Sequence, residues 1–425
     1  MTRRWAYLIV GLAAVAPRLA VLFHERGHIL ASFTEKSDDF ARTFVSSGTF
    51  GFVPGEPSAW TQPLYAFFLV PLYWIFGRDW LAVGLVQIAV ALATALLVYE
   101  IGRRFVSRRA GLVAAGIATL SPYLVWHDVH VNREILDQLL ATVVVLVTLL
   151  AVERRSSLGL TALLGFALGL AVLGNTRLLL LAVVVAGFLL WQTRSWQGAA
   201  VLLGVCLLTL VPWAARNRAS VGCFTLTTDT RALWKANNPN TYRTLAAGKW
   251  IDDVPRLPGS PYTPEEAATL YYRDGKRVHV DECAQMRTYR HLVFEFWGDH
   301  PGEKARLAGQ AARMLWDPRA TKTEGRQGAG GFSDRARTWV QPLYEIPLYA
   351  LALLGLFLVP RRVALLTLLL LGYQTLVAVG FAGATRYRVP WDFTLALAAG
   401  AAVVYLVGRV ATAVRRPGLS PGETA

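Results

Sequence analysis

The sequence predicts an all-α polytopic membrane protein with about ten transmembrane helices and a mixed extracytoplasmic domain. Two observations predict this class. The chain has 425 residues, of which 54% are hydrophobic and only 17% charged, whereas a soluble domain carries about 25% charged residues. Apolar runs of roughly 18 residues or more alternate with short arginine clusters, and such runs suit a bilayer span better than a core strand.

Charge placement orients the spans, which we set at about 5–23, 80–102, 110–126, 135–152, 158–174, 178–193, 198–214, 339–359, 363–382 and 390–410. With Arg3 and Arg4 inside, alternate crossing puts the strong basic clusters of the short loops on the inner side, as the positive-inside rule requires. These residues are Arg103, Arg104, Arg108, Arg109, Arg154, Arg155, Arg194, Arg361, Arg362, Arg415 and Arg416.

This threading divides the chain into three parts. Residues 1–214 form a transmembrane core with a first extracytoplasmic loop at 24–79, residues 215–338 form an extracytoplasmic domain, and residues 339–425 form the last helices and a cytoplasmic tail. Within the first loop, the apolar stretch 63–76 is too short to span, so we expect an interfacial or re-entrant helix. In the large segment we expect helices after Thr263 and over 281–297 and 302–316.

The basic balance of the chain, a net charge of +15, does not indicate a nucleic-acid partner, because much of it follows the membrane topology. Cys223 and Cys283 both fall in the large outer segment, where a disulfide is permitted; two free thiols are the alternative. Arg18 interrupts the first apolar run and no small-residue cleavage site follows, so we expect an uncleaved first span in place of a signal peptide.

The pair Asp38-Asp39, shortly after the first span, is the first candidate for chemistry. Two adjacent carboxylates repel each other, which makes one of them hold a proton more readily than a lone aspartate. A carboxylate near the membrane surface can act as a general base on an acceptor hydroxyl or amine. The alternative is a solvated turn or a helix cap.

A second candidate lies at the start of the fourth span, in Asn132-Arg133-Glu134 and Asp137. Arg133 and Asp137 are four residues apart and share a helix face, with Glu134 as a neighbour of Asp137. Ionisable groups inside a span have a high free-energy cost in the bilayer and therefore indicate function. Groups at the very end of a span can instead extend into the headgroup region.

The third candidate is a set of arginines on the outer side, Arg177, Arg386 and Arg388, which run against the positive-inside trend. Arg18, near the outer end of the first span, adds to it. Guanidinium groups match phosphate oxygens, so several of them at one membrane face would bind an anionic lipid headgroup. Ion pairing with the carboxylates above is the alternative.

Cofactor motifs are absent from the sequence. His24 and His28, and His127 and His130, have helical spacing, but no zinc motif, phosphate-binding glycine loop or nucleophile elbow is present. We therefore expect no cofactor and disfavour ATP-driven or serine-hydrolase chemistry, while a divalent metal stays open.

Several motifs in order resemble one family. They are Ser37-Asp-Asp-Phe-Ala-Arg-Thr-Phe-Val-Ser-Ser-Gly-Thr-Phe-Gly51, Trp60-Thr-Gln-Pro-Leu-Tyr65, Arg133-Glu-Ile-Leu-Asp137, Pro212-Trp-Ala-Ala-Arg-Asn217, Leu233-Trp-Lys-Ala-Asn-Asn-Pro239 and Arg386-Tyr-Arg-Val-Pro390. The chain thereby resembles the GT-C superfamily of membrane glycosyltransferases, in the bacterial branch related to protein O-mannosyltransferases and the lipid A aminoarabinose transferase. Residues 240–335 match this pattern poorly, which leaves the acceptor open.

The resemblance implies an inverting glycosyltransferase in the inner or plasma membrane, with its active site on the extracytoplasmic face. The donor would be a hexose or pentose linked to polyprenyl phosphate and surrounded by membrane lipid. The acceptor would be a protein, a lipid or a glycan. It implies Asp38 or Asp39 as the base, and Arg386 and Arg388, with Arg177 and Arg133, as holders of the phosphate. Glu134 or Asp137 would orient one of those arginines or the acceptor.

Two other classes compete with an enzyme. A transporter or flippase of a lipid-linked sugar would show internal repeats or polar breaks in mid-membrane, and the sequence places its charges near one face instead. A non-enzymatic membrane scaffold would account for the segment 215–338 but not for the clustered arginines and carboxylates.

Overall fold

The computed structural model describes residues 2–31, 34–321 and 335–414, and this part of the chain is built from α-helices, short helical turns and loops. In chain order the α-helices are α1 (Arg3–His24), α2 (Lys36–Ser47), α3 (Pro63–Phe76), α4 (Trp80–Phe105), α5 (Arg108–Thr119), α6 (Pro122–His127), α7 (Glu134–Glu153), α8 (Leu158–Gly174), α9 (Leu181–Thr193), α10 (Trp196–Ser220), α11 (Arg231–Lys235), α12 (Thr241–Ala246), α13 (Pro264–Asp274), α14 (Glu282–Asp299), α15 (Pro301–Trp316), α16 (Gln341–Gly355), α17 (Arg361–Gly380), α18 (Thr385–Arg388) and α19 (Phe393–Val414). The predicted all-α class is confirmed. The mixed character predicted for 215–338 is not, because its described residues 215–321 form helices and loops without a strand.

A helix lies at each of the predicted spans. In the described part of the chain, seven helices are long and apolar enough to cross a membrane. The remaining three predicted spans fall on α8, on α5 with α6, and on α16, which a π-helical turn over Ala336–Val340 precedes. The break between α5 and α6 has a local cause, since Pro122 has no N–H to donate and stands in the first turn of α6, where no N–H is needed.

The short apolar helix α3 has the bounds that the sequence indicated. Its 14 residues begin at Pro63, and its far end exposes Trp74, Ile75 and Phe76. α2 packs along α3. The placement of α3 at the bilayer interface stays a prediction, but its length and exposed apolar end suit a helix that lies against the membrane.

The bundle has a basic end. Arg104, near the end of α4, and Arg362, at the start of α17, both pair with Glu153 at the end of α7, at 2.8 and 3.4 Å. Arg103 pairs with Glu100 one turn earlier in α4. Arginines that the threading put on the inner side therefore meet at one end of the bundle; Arg415 and Arg416 lie outside the described residues.

At the other end, the segments predicted as the two outer ones pack together. The Tyr272 hydroxyl donates to the Phe52 carbonyl at 3.0 Å, and the Arg216 guanidinium donates to the Ser58 carbonyl at 2.9 Å. A disulfide joins Cys223 to Cys283 and so ties the chain after α10 to the start of α14. The resemblance requires this arrangement, because an active site between the two segments needs both on one face.

Small residues let the last helices pack closely. A side-chain carbon on Gly355 in α16 would collide with the Ala398 carbonyl in α19. A side-chain carbon on Gly400 in α19 would likewise collide with the Ala110 carbonyl in α5. Small residues at helix contacts are typical of membrane bundles, where van der Waals packing and not the hydrophobic effect brings the helices together.

A buried ion pair joins α1 to the chain after α6. The Arg18 guanidinium lies 2.7 Å from an Asp128 carboxylate oxygen and also donates to the Ala14 and Thr119 carbonyls. Both charged side chains are almost completely buried. Arg18 is therefore internally neutralised and holds α1, α5 and the loop after α6 together.

We expect Arg18→Ala to destabilise the fold by about 3–5 kcal/mol, because it leaves the Asp128 carboxylate buried without its countercharge. Thermal unfolding in detergent measures this. The double variant Arg18→Met with Asp128→Leu removes both charges and serves as the matched control, with a loss of stability well below that of Arg18→Ala. Equal losses of stability in the single and the double variant would show that lost packing, and not the unpaired charge, destabilises the fold.

Candidate functional site

Charged side chains from three distant parts of the chain meet at the end of the bundle where the long segments pack. Arg386 in α18 forms ion pairs with Glu35, the residue before α2, and with Glu134, the first residue of α7. Its Nε atom lies 2.6 Å from the Glu134 carboxylate. The side chains of Glu35 and Arg386 keep 18% and 21% of their surface exposed, while Glu134 is buried. The centre of this cluster is thus accessible to a small group.

A second set of contacts extends the cluster along α7. The Nε atom of Arg133 lies 3.9 Å from the Asp137 carboxylate one turn later, and its Nη1 atom donates to the Gln62 amide oxygen at 3.1 Å. Asp137 also accepts a hydrogen bond from the Asn175 amide at 3.1 Å. The helical spacing predicted from the sequence therefore brings Arg133 and Asp137 together. Asn175, the residue that follows α8, joins them.

Arg177 borders this cluster on the side of α18. Its Nε atom donates to the Asn175 side-chain oxygen at 3.2 Å, and its guanidinium lies 3.3 Å from the ring centre of Tyr387. Tyr373 fixes the backbone here by donating to the Arg177 carbonyl at 2.7 Å. Stacking on a tyrosine leaves the edge of a guanidinium able to donate. Of the predicted arginines, Arg133, Arg177 and Arg386 lie together.

Two buried carboxylate oxygens in the cluster accept no hydrogen bond from the described residues. They are Oε2 of Glu134 and Oδ1 of Asp137. Buried polar atoms are nearly always hydrogen-bonded in folded proteins, so each exception requires a reason. Here the reason fits a binding site, because a hydroxyl group of a ligand or a water molecule can donate to these atoms.

The electrostatics of the cluster keep Glu35 ionised. Burial would raise the pKa of Glu35, but the charges of Arg133 and Arg386 outweigh it and the pKa lies below the usual value. Burial would likewise lower the pKa of Arg386, and the carboxylates of Glu134 and Glu35 instead raise it. Each group stabilises the charged form of the other, so the cluster holds permanent charges at neutral pH.

The predicted acidic pair lies outside this cluster of contacts. The Asp38 carboxylate is buried, accepts a hydrogen bond from the Tyr73 hydroxyl and forms a two-pronged ion pair with Arg78 at 2.8 and 3.0 Å. Asp39 points away, with half of its side chain exposed and Arg42 at 3.4 Å. Asp38 therefore links α2 to the chain after α3, and its partners are those of a residue with a structural role.

Arg388 also has a different environment from the other predicted arginines. It is completely buried, with Glu345 at 2.8 Å and Asp392 at 3.0 Å as countercharges. A third contact runs to the Leu315 carbonyl at 2.7 Å. The alternative left open by the sequence, ion pairing with the candidate carboxylates, describes Arg386, which pairs with Glu134. Arg388 and Arg18 instead pair with other buried carboxylates, Arg388 with Glu345 and Asp392 and Arg18 with Asp128.

Glu35 is the residue that the sequence analysis missed. It stands alone before a helix, while the doublet Asp38-Asp39 three residues later gives the stronger local signal. No local pattern marks Glu35, because its partner Arg386 is 351 residues away in the chain.

The histidine pairs do not combine into a metal site in the described part of the chain. No group of three or more histidine, cysteine, aspartate or glutamate side chains there is placed to hold a metal ion. His127 contacts the Asn132 amide at 3.3 Å, and His130 lies 3.8 Å from Glu25.

Comparison with known proteins shows one partial family match and several structures with a similar fold. Residues 57–215 match the family model described as dolichyl-phosphate-mannose-protein mannosyltransferase. The fold is similar to two structures of the oligosaccharyltransferase AglB from Archaeoglobus fulgidus. One is in complex with an inhibitory peptide and a dolichol-phosphate (TM-score 0.55, 11% identity, 100% of this chain), and the other is tethered to an acceptor peptide (TM-score 0.54, 12% identity, 97% of this chain).

This chain spans about half the length of those proteins, 53% and 51%. The structure of ArnT from Cupriavidus metallidurans bound to undecaprenyl phosphate aligns over 98% of this chain and 80% of its own, at 16% identity and a TM-score of only 0.41. None of the curated proteins matches the sequence. The chain is thus a multi-pass membrane protein with a fold of the GT-C type, and the resemblance indicated by its motifs is confirmed for the fold and for the family match over residues 57–215.

We expect the two aspartates to differ in their effect on stability. Asp38→Asn removes the charge that Arg78 and the Tyr73 hydroxyl share, which costs about 1.5–3 kcal/mol for charged hydrogen bonds at a buried carboxylate. Asp39→Asn is the matched control and changes stability by less than about 0.5 kcal/mol, as exposed substitutions do. Thermal unfolding of both variants in detergent measures the difference, and equal stabilities would contradict the structural role of Asp38.

Proposed function

We propose that this protein is an inverting glycosyltransferase, which moves a sugar from a polyprenyl-phosphate donor to an acceptor on the extracytoplasmic face of the cell membrane. The observation that carries the proposal is the bridge of Arg386 between Glu35 and Glu134, with Arg133 and Arg177 beside it. A carboxylate base and several guanidinium groups at one end of an apolar bundle suit a reaction that deprotonates an acceptor and releases a lipid phosphate.

Glu35 is the proposed base, in place of Asp38 or Asp39. In the proposed step, the acceptor oxygen or nitrogen attacks the anomeric carbon of the sugar from the side opposite the lipid phosphate. Its proton passes to the Glu35 carboxylate as the new bond forms. The bond between the anomeric carbon and the phosphate oxygen breaks, and the electron pair leaves with polyprenyl phosphate, so the configuration inverts.

The arginines stabilise the leaving phosphate. Negative charge develops on the phosphate as the bond breaks, and fixed guanidinium donors placed there stabilise the transition state more than the ground state. Arg386 and Arg133 both act on Glu35 with positive charge, and Arg177, which stacks on the Tyr387 ring, keeps the edge of its guanidinium free to donate. Glu134 and Asp137 orient Arg386 and Arg133 and offer their unpaired oxygens to sugar hydroxyls.

Donor binding would also activate the base. Without donor, Glu35 shares Arg386 with Glu134, and this charge keeps the pKa of Glu35 low. A lipid phosphate that takes over the Arg386 donors would remove part of this stabilisation and raise the pKa of Glu35. A carboxylate with a higher pKa accepts a proton more readily, so the base strengthens once the donor is in place.

Two features support an extracytoplasmic active site. The disulfide between Cys223 and Cys283 lies at the same end of the bundle as the cluster, and disulfides persist mainly in oxidising compartments. The opposite end carries the arginines that the positive-inside rule assigns to the cytoplasm. The apolar helix α3, which follows Gln62 of the site, would border the path of the lipid chain.

The test is a transfer assay with the purified protein and a panel of polyprenyl-monophosphate sugars, with release of polyprenyl phosphate as the readout. We expect Glu35→Gln to lower the rate by about 10²–10⁴-fold, the range for loss of a general base. Glu295→Gln, an exposed carboxylate beside His291, is the matched control and keeps the wild-type rate.

Asp38→Asn and Asp39→Asn in the same assay distinguish the candidate bases. A normal rate in Glu35→Gln together with a collapsed rate in Asp39→Asn would overturn the assignment of Glu35. Absence of release by the folded wild-type protein from every donor, with protein, lipid and glycan acceptors supplied, would favour a flippase or a scaffold.

The pH dependence gives an independent check of the electrostatics. Because Arg133 and Arg386 depress the pKa of Glu35 in the free protein, the base stays ionised above that pKa and is lost as the pH falls through it. The acidic limb of kcat/KM, which reports the free enzyme, should therefore lie below the ordinary glutamate pKa of about 4.3. Arg386→Gln should shift this limb upward. An acidic limb above the ordinary value in the wild-type protein would contradict the proposal.

A further inference from the structure

The first turn of α15 carries a lysine, Lys304, whose ammonium group bonds to uncharged oxygen atoms. It donates to the side-chain oxygen of Asn237 at 2.7 Å. It also donates to the carbonyls of Val379 and Gly380, at 2.8 and 3.3 Å. The Trp297 ring lies against the ammonium group, with its centre 5.0 Å away. An ammonium group has three N–H donors, so these three oxygens use all of them.

Two of these oxygens belong to the end of α17. Val379 and Gly380 are its last residues, and their carbonyls lie at the negative end of the helix dipole, where a cation is stabilising. Asn237, which is completely buried, reinforces the contact, because its side-chain nitrogen donates to the same Gly380 carbonyl at 3.2 Å. The Trp297 indole donates to the Asn237 oxygen at 2.8 Å. Lys304 thus fixes the point at which the chain leaves α17 for the site.

The rest of α15 follows the chain from there into α18. A side-chain carbon on Gly383 would collide with the Ala311 carbonyl, so the chain passes directly against the helix. Four residues later in α15, the Leu315 carbonyl accepts a hydrogen bond from Arg388. Lys304, Ala311 and Leu315 are seven and four residues apart and therefore lie on one face of α15. This face holds the chain from the end of α17 through α18 at three points.

The segment held in this way, residues 379–388, positions two arginines of the proposed site. Arg386 is part of the segment itself. Arg177 lies against two of its rings, 3.3 Å from the centre of Tyr387 and 5.4 Å from the centre of Phe381. Both guanidinium groups therefore depend on where the segment lies. A misplacement of about 1 Å, even when its cause is far from the chemistry, can lower an enzymatic rate by about 10²-fold.

The charge of Lys304 is present at neutral pH and is lost at moderately basic pH. Burial lowers the pKa of Lys304 to about 8, and no described carboxylate forms an ion pair with the ammonium group that would oppose this. A neutral amine has only two N–H donors, so deprotonation leaves one of the three oxygens without its bond. It also removes the positive charge from the end of α17.

The other ionisable groups around α15 form no hydrogen bond or ion pair with this ammonium group in the described part of the chain. Those on the neighbouring elements are Lys235 in α11, Tyr242 and Arg243 in α12, Glu295 and Asp299 in α14, His300, Glu303 and Arg306 at the start of α15, Tyr373 in α17, and Arg386, Tyr387 and Arg388 in α18. Titration of Lys304 therefore acts directly on the end of α17.

We propose that the protonated Lys304 positions the arginines of the site through residues 379–388, so that sugar transfer is lost when this lysine is deprotonated. Lys304 acts through the segment and not on the substrate, which makes it a positioning residue. The effect on transfer rests on the proposed function, whereas the hold on the segment is a property of the fold alone.

The test is the pH dependence of kcat/KM in the polyprenyl phosphate release assay, with a hydroxyl acceptor so that no amine of the acceptor titrates. We expect the wild-type rate to fall as the pH rises through about 8, because kcat/KM reports the pKa values of the free enzyme. Lys304→Arg should lack this basic limb, since a guanidinium group stays charged throughout the range. Lys304→Met should lack it as well and should lower kcat/KM at neutral pH by about 10²-fold.

Lys249→Met is the matched control. Lys249 is exposed, so this variant should keep both the wild-type rate and its basic limb. A wild-type rate that does not fall through about pH 8, or an equal fall in Lys304→Arg, would overturn the positioning role. These two profiles decide the question even if Lys304→Met does not fold.

Hydrogen exchange at one fixed neutral pH needs no turnover and so separates this result from failure of the proposed function. Exchange of residues 379–388 should be faster in Lys304→Met than in the wild type or in Lys249→Met. Faster exchange without transfer from any donor would support the hold on the segment and reject the transferase. Transfer with unchanged exchange and no basic limb would leave the transferase intact and overturn only the role of Lys304.

Discussion

The architecture of the site depends on the neutralisation of one arginine, Arg386, at the end of an apolar bundle. A guanidinium taken out of water needs countercharges nearby, and Glu35 and Glu134 supply them from the start of α2 and from α7. These contacts hold the beginnings of α2 and α7 against α18 in one arrangement. The first outer loop, the fourth predicted span and the segment before the last helix therefore meet at the guanidinium group of Arg386.

Arg388 lies in the same turn as Arg386, but its side chain is completely buried in the bundle. Arg388 is held by Glu345 in α16, by the Leu315 carbonyl in α15 and by Asp392, the residue before α19. These contacts join the three helices beneath the site. Just before this turn, the ammonium group of Lys304 caps the Val379 and Gly380 carbonyls at the end of α17. Two arginines of one short motif, separated by Tyr387, thus have different roles, since Arg388 anchors the turn while Arg386 faces the site. A functional side chain held on such a fixed backbone is pre-organised.

The sequence predicted those features whose causes are local. Hydropathy located helices at every predicted span, and the bounds of α3 and the capped start of α13 at Thr263 followed from proline and capping residues. The choice of the carboxylate was not predictable in this way. Asp38 and Glu35 lie one helical turn apart, and only the fold decides that Asp38 meets Arg78 while Glu35 meets Arg386. Between Arg386 and Arg388 the sequence offers one local difference, Asp392 four residues after Arg388, because their other partners come from distant helices.

The charge balance of the cluster fits a site that is stable by itself and that, in the proposed reaction, takes up an anion. The carboxylates of Glu35, Glu134 and Asp137 match the guanidinium groups of Arg133, Arg177 and Arg386, so the cluster is close to neutral. An incoming phosphate adds negative charge to a buried region, which is tolerated only if a carboxylate gives up its share of an arginine or takes up a proton. Glu35 is the most exposed of the three carboxylates, and its surroundings let it change partner at the lowest cost. In the proposed reaction, the neutrality of the cluster therefore couples donor binding to the release of a carboxylate that can accept a proton.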